Sequence, residues 1–277
     1  MTGFRPTRRR FALAMAASAA QCVAPAARAD TRLRITGTGS GTGGMQILAR
    51  AYMQTHPDVK VEVLPAVGSA GGIRAVIDGQ LELAVTNRPA NDKESAQRPL
   101  QSLPYARTPF VVAAHRDLGV RALSLDQLAA LYAEGGASFP NGKRARPVLR
   151  LADSTDTELL KAFGPQVRAA VERAMTRRGM LDAATDTECA DLIQSTPGAF
   201  GPATLAQLES EKRPLVALAI GGVEPSLANL ASGRYPHHKR LLMVLPAQPT
   251  AGVRRFAGYV LSPAAQALLT AAGHGAA

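Results

Sequence analysis

Two loops rich in glycine and hydroxyl side chains constrain this chain more than any other feature of its sequence. The first is GTGSGTGG at residues 37–44 and the second is GSAGG at residues 68–72, and each lies between a strand-like run and a helix-like run. A helix N-terminus carries unpaired backbone N–H groups and a partial positive charge, and glycine lets a ligand approach them closely. The two loops together therefore predict a group of donors suited to a small anion.

The N-terminal segment is typical of an export signal rather than of a folded domain. An arginine pair precedes Phe11, an alanine-rich apolar run follows, and a small-x-small site ends at Ala29. The pattern predicts a signal peptide over residues 1–29, cleaved after Ala29, and a periplasmic location. Both a twin-arginine signal and an ordinary secretory signal fit the arginines, and the alanine content favours the former.

The charge of the processed chain is consistent with an anionic partner. The sequence has a formal net charge of +11, and removing the five arginines of residues 1–29 leaves +6. A basic exported protein fits an anionic solute, or an anionic membrane or cell-wall surface. Aromatic residues make up only 4% of the chain and tryptophan is absent, which argues against nucleic-acid binding.

The remaining sequence alternates strand-like and helix-like runs, which predicts an α/β fold. Strands are predicted at residues 33–36, 60–64, 82–86, 109–114, 147–151, 214–220 and 240–245. Helices are predicted at residues 43–56, 71–78, 124–132, 154–163, 165–178, 185–194, 253–261 and 264–272. The first helix has Met45, Leu48 and Tyr52 on one stripe, and the second has Ile73, Val76 and Ile77.

Several motifs, taken in their order along the chain, resemble those of the phosphate-binding family of periplasmic substrate-binding proteins of ABC importers. The motifs are TGTG at 36–39, GSAGG at 68–72, LSLDQLA at 123–129, PGAFG at 197–201, GRYP at 233–236 and LSPAAQ at 261–266. The resemblance covers nearly all of residues 32–277.

The resemblance implies a type 2 periplasmic binding protein fold, with two α/β lobes, a hinge and a cleft between the lobes. Lobe 1 would comprise residues 30–112 and a return segment at 223–277, and lobe 2 would comprise 113–222. The chain would capture a small oxyanion, phosphate in the first place and sulfate as an alternative, and close around it. A membrane ABC permease would recognise the closed form. The resemblance implies a monomer that catalyses no reaction and holds no cofactor or metal.

The family's anion site can be transferred residue by residue. Arg150 and Ser154 match an arginine at a strand end and a serine at the following helix start, where a guanidinium and backbone amides can bind one oxyanion. The implied ligand-binding residues are Ser40, Gly41, Thr42, Ser69, Gly71, Asn87, Arg150 and Ser154.

Two positions depart from the family's pattern. Asn87 stands where the family has an aspartate that accepts a hydrogen bond from protonated phosphate, and an uncharged amide would discriminate less against sulfate. Asp156 stands where the family has threonine. A carboxylate there would suit the helix dipole, but it would repel an anion if it faced the cleft, or neutralise Arg150 if it paired with it.

Two other functions fit parts of the sequence. The spacing Gly39-x-Gly41-x-x-Gly44, with Glu62 downstream, fits a dinucleotide-binding fingerprint and would suit an exported oxidoreductase. Asn87 and Asp156, which depart from the family's pattern, are also consistent with an envelope sensor or scaffold that has the same fold and a degenerate cleft. The histidine pair at 237–238 lacks a spaced partner and indicates a loop rather than a metal site.

Overall fold

The computed structural model describes residues 1–2 and 31–277. The predicted arginine pair, apolar run and cleavage site after Ala29 therefore lie outside the described residues. In the part of the chain that is described, no helix has the length and apolar character needed to cross a membrane.

Strands and helices alternate along most of the chain. The strands are β1 Thr31–Gly37, β2 Val59–Val63, β3 Leu83–Thr86, β4 Leu100–His115, β5 Ala122–Leu123, β6 Arg146–Arg150, β7 Leu181–Ala183, β8 Ala199–Thr204, β9 Leu215–Ala217, β10 Ala219–Ile220 and β11 His238–Pro246. The helices are α1 Gly39–Thr55, α2 Gly68–Ile77, α3 Asp92–Gln97, α4 Leu125–Ala133, α5 Thr155–Lys161, α6 Pro165–Met175, α7 Asp186–Ser195, α8 Leu205–Ser210, α9 Leu227–Ala231, α10 Ala251–Val260 and α11 Pro263–Ala271.

One large sheet runs through the molecule in the order β2-β1-β3-β11-β4-β8-β6-β7. Its first half comprises β2, β1, β3 and β11, and its second half comprises β8, β6 and β7. Strand β4 spans both, because it pairs with β11 from Leu100 to Pro109 and with β8 from Phe110 to Ala114. The lobe boundaries at 112/113 and 222/223 stay predictions.

Each half of the sheet has its own hydrophobic core. In the first half, α1 and α10 pack on the sheet through Met45, Leu48, Tyr52 and Phe256. The predicted stripe of α1 is therefore confirmed. In α2, Ile73 and Val76 are buried and Ile77 is half-buried. In the second half, α4 and α6 cover β4, β6 and β8 around a cluster that contains Phe110, Leu128, Val171 and Phe200.

Helix α1 begins four residues before the predicted start, so most of the first glycine loop is helical. Its glycines allow close packing. A Cβ on Gly41 would collide with the Val85 side chain, and one on Gly44 would lie 2.7 Å from the His274 ring. Glycine is a poor helix former, but here its missing side chain lets α1 lie against its neighbours.

Several elements differ from the predictions, among them α8, α9, β5 and β7, which were not predicted. Helix α3 was not predicted, although Asn91 and Glu94 form a capping box at its start, because it buries no residue and shows no apolar period. Strand β4 is 16 residues long and not the six predicted. The predicted strand 214–220 is divided, because Ala219 and Ile220 leave β4 to pair with β5.

The buried histidine behind α1 predicts a pH-dependent stability. His274 is 1% exposed, and burial lowers its pKa from 6.5 to about 4. The unfolded chain therefore takes up a proton at a higher pH than the folded protein does. Above pH 6.5 His274 is neutral in both states and does not reduce the free energy of unfolding. Lowering the pH toward 4 should reduce that free energy by about 3 kcal/mol.

Urea unfolding of the wild type and of His274→Gln across this pH range measures the effect. The difference in unfolding free energy between the two proteins should shrink as the pH falls. A difference that is independent of pH would contradict the assignment.

Candidate functional site

A cleft of about 260 Å³ lies at the carboxyl ends of parallel strands from both halves of the sheet. Thr38 follows β1, Asn87 follows β3, and Arg150 ends β6. The polar residues that line this cleft include Thr38, Ser69, Asn87, Arg150, Ser154, Asp156, Asp186 and Lys239. Ligands of open α/β sheets commonly bind at such strand ends, where helix N-termini converge.

The structure brings together four of the eight predicted ligand-binding residues on this cleft: Ser69, Asn87, Arg150 and Ser154. A fifth, Ser40, is buried beside Asp186 and Lys239, two residues that line the cleft.

The other three predicted residues, Gly41, Thr42 and Gly71, do not line the cleft. Gly41 faces Val85 and Tyr105, the Thr42 hydroxyl donates to the Gly39 carbonyl at 3.2 Å, and Gly71 packs on Val67. For Gly41 and Thr42 the reason is the early start of α1, and Gly71 likewise lies inside α2, which begins at Gly68. Successive helical residues point in directions about 100° apart, so these residues do not all face the cleft.

Ser69 holds Asn87 in one orientation. The Ser69 hydroxyl donates to Asn87 Oδ1 at 2.9 Å and accepts from the Asn87 backbone N–H at 3.1 Å. The side-chain oxygen of Asn87 is therefore already used within the protein. Its NH2 group, which makes no hydrogen bond to any described residue, is the polar group left for a ligand.

Arg150 is anchored from behind by two acceptors. Its Nε donates to Asp156 Oδ2 at 3.1 Å and its Nη1 donates to the Ala183 carbonyl at 2.8 Å. These bonds fix the guanidinium plane, while Nη2 makes no hydrogen bond to any described residue. Ser154 caps α5 by accepting from the Thr157 N–H at 3.2 Å, so the N-terminus of α5 lies beside Arg150.

A buried ion network forms the base of the cleft. Lys239, which is 2% exposed, contacts both Asp156 and Asp186, and its Nζ lies 2.5 Å from Asp186 Oδ1. Asp186 also accepts from Thr38 Oγ1 at 2.8 Å and from Ser40 Oγ at 2.8 Å. Together with Arg150, the network holds two cations and two carboxylates, so its formal charge is zero.

The two carboxylates of this network differ in their pKa. Burial alone would raise the pKa of Asp186, but the charges of Lys239 and Arg150 and the bonds from Lys239 and Ser40 outweigh it, and that pKa lies below its ordinary value. For Asp156, burial and repulsion by Asp186 outweigh the attraction of Lys239, and its pKa is raised. Burial lowers the pKa of Lys239, but both carboxylates reverse the effect, so it remains charged.

Sequence reasoning missed Thr38, Asp186 and Lys239 as members of the site. A lysine just before an apolar strand and an aspartate in the first turn of a helix are ordinary surface features. Only the fold, which brings Asp186 within hydrogen-bond distance of residues 148 and 53 positions away, shows their role.

The dinucleotide fingerprint has a packing explanation. Gly41 and Gly44 face other parts of the protein, and Glu62 forms an ion pair with Arg32 at 2.5 Å. These residues are therefore not arranged to approach a pyrophosphate and a ribose. Within residues 1–2 and 31–277, no group of three or more histidine, cysteine, aspartate or glutamate side chains is placed to hold a metal.

Arg144 and Arg146 line a second cavity, of about 410 Å³, together with Arg177 and Arg178. Arg146 begins β6 and Arg150 ends it, so the Cα atoms of these two lining residues are about 13 Å apart along that strand.

The chain matches the family model described as the PBP superfamily domain over residues 23–264. It is also 26% identical over 189 residues to the phosphate-binding protein PstS of Bacillus subtilis (strain 168). That match covers 68% of this chain and 61% of PstS, so the chain spans less than two thirds of the relative's length.

Solved structures of similar proteins share the fold. A putative phosphate ABC transporter substrate-binding protein with bound phosphate from Clostridium perfringens superposes with a TM-score of 0.69 at 19% identity, covering 89% of this chain and 100% of that one. An ABC-type phosphate transport receptor from Vibrio cholerae gives a TM-score of 0.56 at 19% identity, with the same coverages.

Proposed function

The chain belongs to the PBP superfamily, and from this premise we propose that it is an exported solute-binding protein that captures a small oxyanion, phosphate in the first place. It delivers the anion to a membrane ABC permease and catalyses no reaction. The observation that carries the proposal is the convergence of Arg150 and Ser154 with Ser69 and Asn87 on one cleft.

The free polar groups of the cleft suit an oxyanion. The Nη2 group of Arg150 and the NH2 group of Asn87 are donors, and both are held in place by bonds within the protein. The N-terminus of α5 adds backbone N–H groups and a partial positive charge. Donors fixed before binding lose little entropy when the ligand arrives, which favours affinity.

The ligand assignment is supported by names of relatives, which include phosphate-binding proteins of ABC transporters. The export signal predicted at residues 1–29 supports a periplasmic location. A volume of about 260 Å³ is suited to a small ion and some water.

Calorimetric titration of the dialysed protein tests the proposal. Phosphate, sulfate and molybdate are titrated separately at two pH values. Binding of phosphate at micromolar affinity or tighter is the expected result. Tight binding of sulfate with weak binding of phosphate would replace the ligand but keep the class, and absence of heat with all three would overturn the transport role.

The residue at position 87 should decide how well the site separates phosphate from sulfate. In Asn87→Asp, a carboxylate can accept a hydrogen bond from protonated phosphate but meets only lone pairs on sulfate. We expect the ratio of phosphate affinity to sulfate affinity to rise at least about tenfold. Asn91→Asp, on an exposed helix cap where aspartate serves equally well, is the matched control. An unchanged ratio in Asn87→Asp would show that residue 87 does not contact the ligand.

A sensor or scaffold with the same fold is the second candidate, and one observation favours it. Asp156 and Asp186 balance the charges of Arg150 and Lys239, so the cleft attracts an anion through hydrogen bonds and local dipoles rather than through net charge. The calorimetric titration separates transport from a scaffold with a degenerate cleft, because such a scaffold gives no heat.

A further inference from the structure

The N-termini of α1 and α7 meet at the base of the cleft. They belong to opposite halves of the sheet, and Gly39 makes the approach possible. A Cβ at position 39 would lie 2.7 Å from the Thr187 hydroxyl and 3.0 Å from both the Thr187 backbone nitrogen and the Asp186 Cβ. Two helix N-termini so close together would repel each other through their partial positive charges unless an anion lay between them.

The Asp186 carboxylate supplies that anion. It accepts one hydrogen bond from Thr38 Oγ1 and one from Ser40 Oγ, each at 2.8 Å, and it forms an ion pair with Lys239. Lys239 also donates to Ser40 Oγ at 3.0 Å. The four side chains are 0–5% exposed. Hydrogen bonds to a buried carboxylate are stronger than those between neutral groups.

We propose that Asp186 is a positioning residue that closes the cleft through protein atoms alone. The contacts of Asp186 with Thr38, Ser40 and Lys239, here called the Asp186 latch, occupy the Ser40 hydroxyl, which the sequence had assigned to the bound anion, together with the neighbouring Thr38 hydroxyl. The ligand is then held by the remaining donors, on Asn87 and Arg150. The part of this inference that concerns the ligand rests on the proposed function, whereas the closure does not.

Closure without a ligand changes how an anion binds. When only a fraction of the molecules has the assembled site, the apparent affinity for the ligand is reduced by that fraction. A site that is already assembled in every molecule therefore binds more tightly. Entry of the anion, however, requires the latch to open. Weakening the latch should therefore lower the affinity for phosphate at least about tenfold and leave the dialysed protein more extended.

Small-angle X-ray scattering of the dialysed protein, before and after addition of inorganic phosphate, tests the latch. The radius of gyration of the wild type should be unchanged by phosphate. That of Asp186→Asn should be larger than the wild-type value and should decrease when phosphate is added. Asp182→Asn removes the same charge from an exposed position nearby and should match the wild type.

A second variant guards against a folding defect in Asp186→Asn. The double variant Thr38→Val with Ser40→Ala removes both hydroxyl donors but keeps the ion pair between Asp186 and Lys239, and it should also be more extended. A wild-type protein that is as extended as the variants when dialysed, or variants as compact as the wild type, would overturn the latch. If the variants are more extended but no protein binds phosphate, the latch stands and the proposed ligand fails.

Discussion

Replacing Arg150 with alanine should reduce the affinity for phosphate at least about thirtyfold, the largest effect that we expect from any single change in the cleft. The guanidinium is fixed by Asp156 and the Ala183 carbonyl, and its free N–H groups are the only charged donors that the cleft offers a ligand from its second-half wall among the described residues. Loss of a buried, charged binding partner costs about 2–5 kcal/mol, and each 1.4 kcal/mol is about tenfold in affinity.

Calorimetry on Arg150→Ala and on Arg146→Ala measures this effect. Arg146 is exposed at the start of the same strand, so its removal changes the net charge equally without touching the cleft. Arg150→Lys keeps the charge but loses the planar pair of donors, and it should bind phosphate with intermediate affinity. Equal losses in Arg150→Ala and Arg146→Ala would show that general electrostatic attraction, not contact in the cleft, holds the anion.

Replacing Lys239 with methionine should lower the free energy of unfolding by about 3–5 kcal/mol. Methionine fills much of the lysine volume but leaves Asp156 and Asp186 buried together without the ammonium that separates their charges. Asp156 keeps Arg150, whereas Asp186 keeps only hydroxyl donors. A buried carboxylate that loses its cation is far more costly than an exposed one.

Urea unfolding at neutral pH measures the loss. Lys93→Met removes a lysine from an exposed position on α3 and should change stability little. Adding Asp186→Asn to Lys239→Met removes one of the stranded charges and should recover part of the stability. A cost below about 1 kcal/mol for Lys239→Met would show that the ammonium is solvated and not buried in an ion network.

The fold class was predictable because its signals are local and repeated. The alternation of strands and helices indicated α/β, and the order of motifs indicated the binding-protein fold; both are confirmed. Most strand and helix positions followed from periodicity, and the helices predicted to begin at residues 124 and 154 are each capped there by a serine in the structure.

The start of α1 was not predictable from local sequence. Four glycines in six residues indicate a loop, since each costs about 1 kcal/mol in a helix. The structure makes this stretch helical because partners distant in the chain, Val85, Ser210 and His274 among them, occupy the space that side chains would need. Tertiary packing outweighs propensity there, and it also turns Gly41 and Thr42 away from the cleft.

Cleft residues that lie in a recognisable motif were predictable, whereas residues that only the fold brings to the cleft were not. Ser69, Asn87, Arg150 and Ser154 follow strand ends or begin helices, so the resemblance located them. The pairing of Asp156 with Arg150, one of two alternatives left open by the sequence, is found in the structure. Lys239 had no local signal, because its burial depends on Asp156 and Asp186, which are distant in the chain and which only the fold brings beside it.

The most direct test of the account is a crystal structure of the protein grown with arsenate, an analogue of phosphate whose arsenic gives an anomalous signal. We expect one strong anomalous peak in the cleft, within hydrogen-bond distance of Arg150 and Asn87, with Asp186 still bonded to Thr38 and Ser40. Absence of a peak in the cleft, or a peak only in the cavity lined by Arg144 and Arg146, would contradict the account.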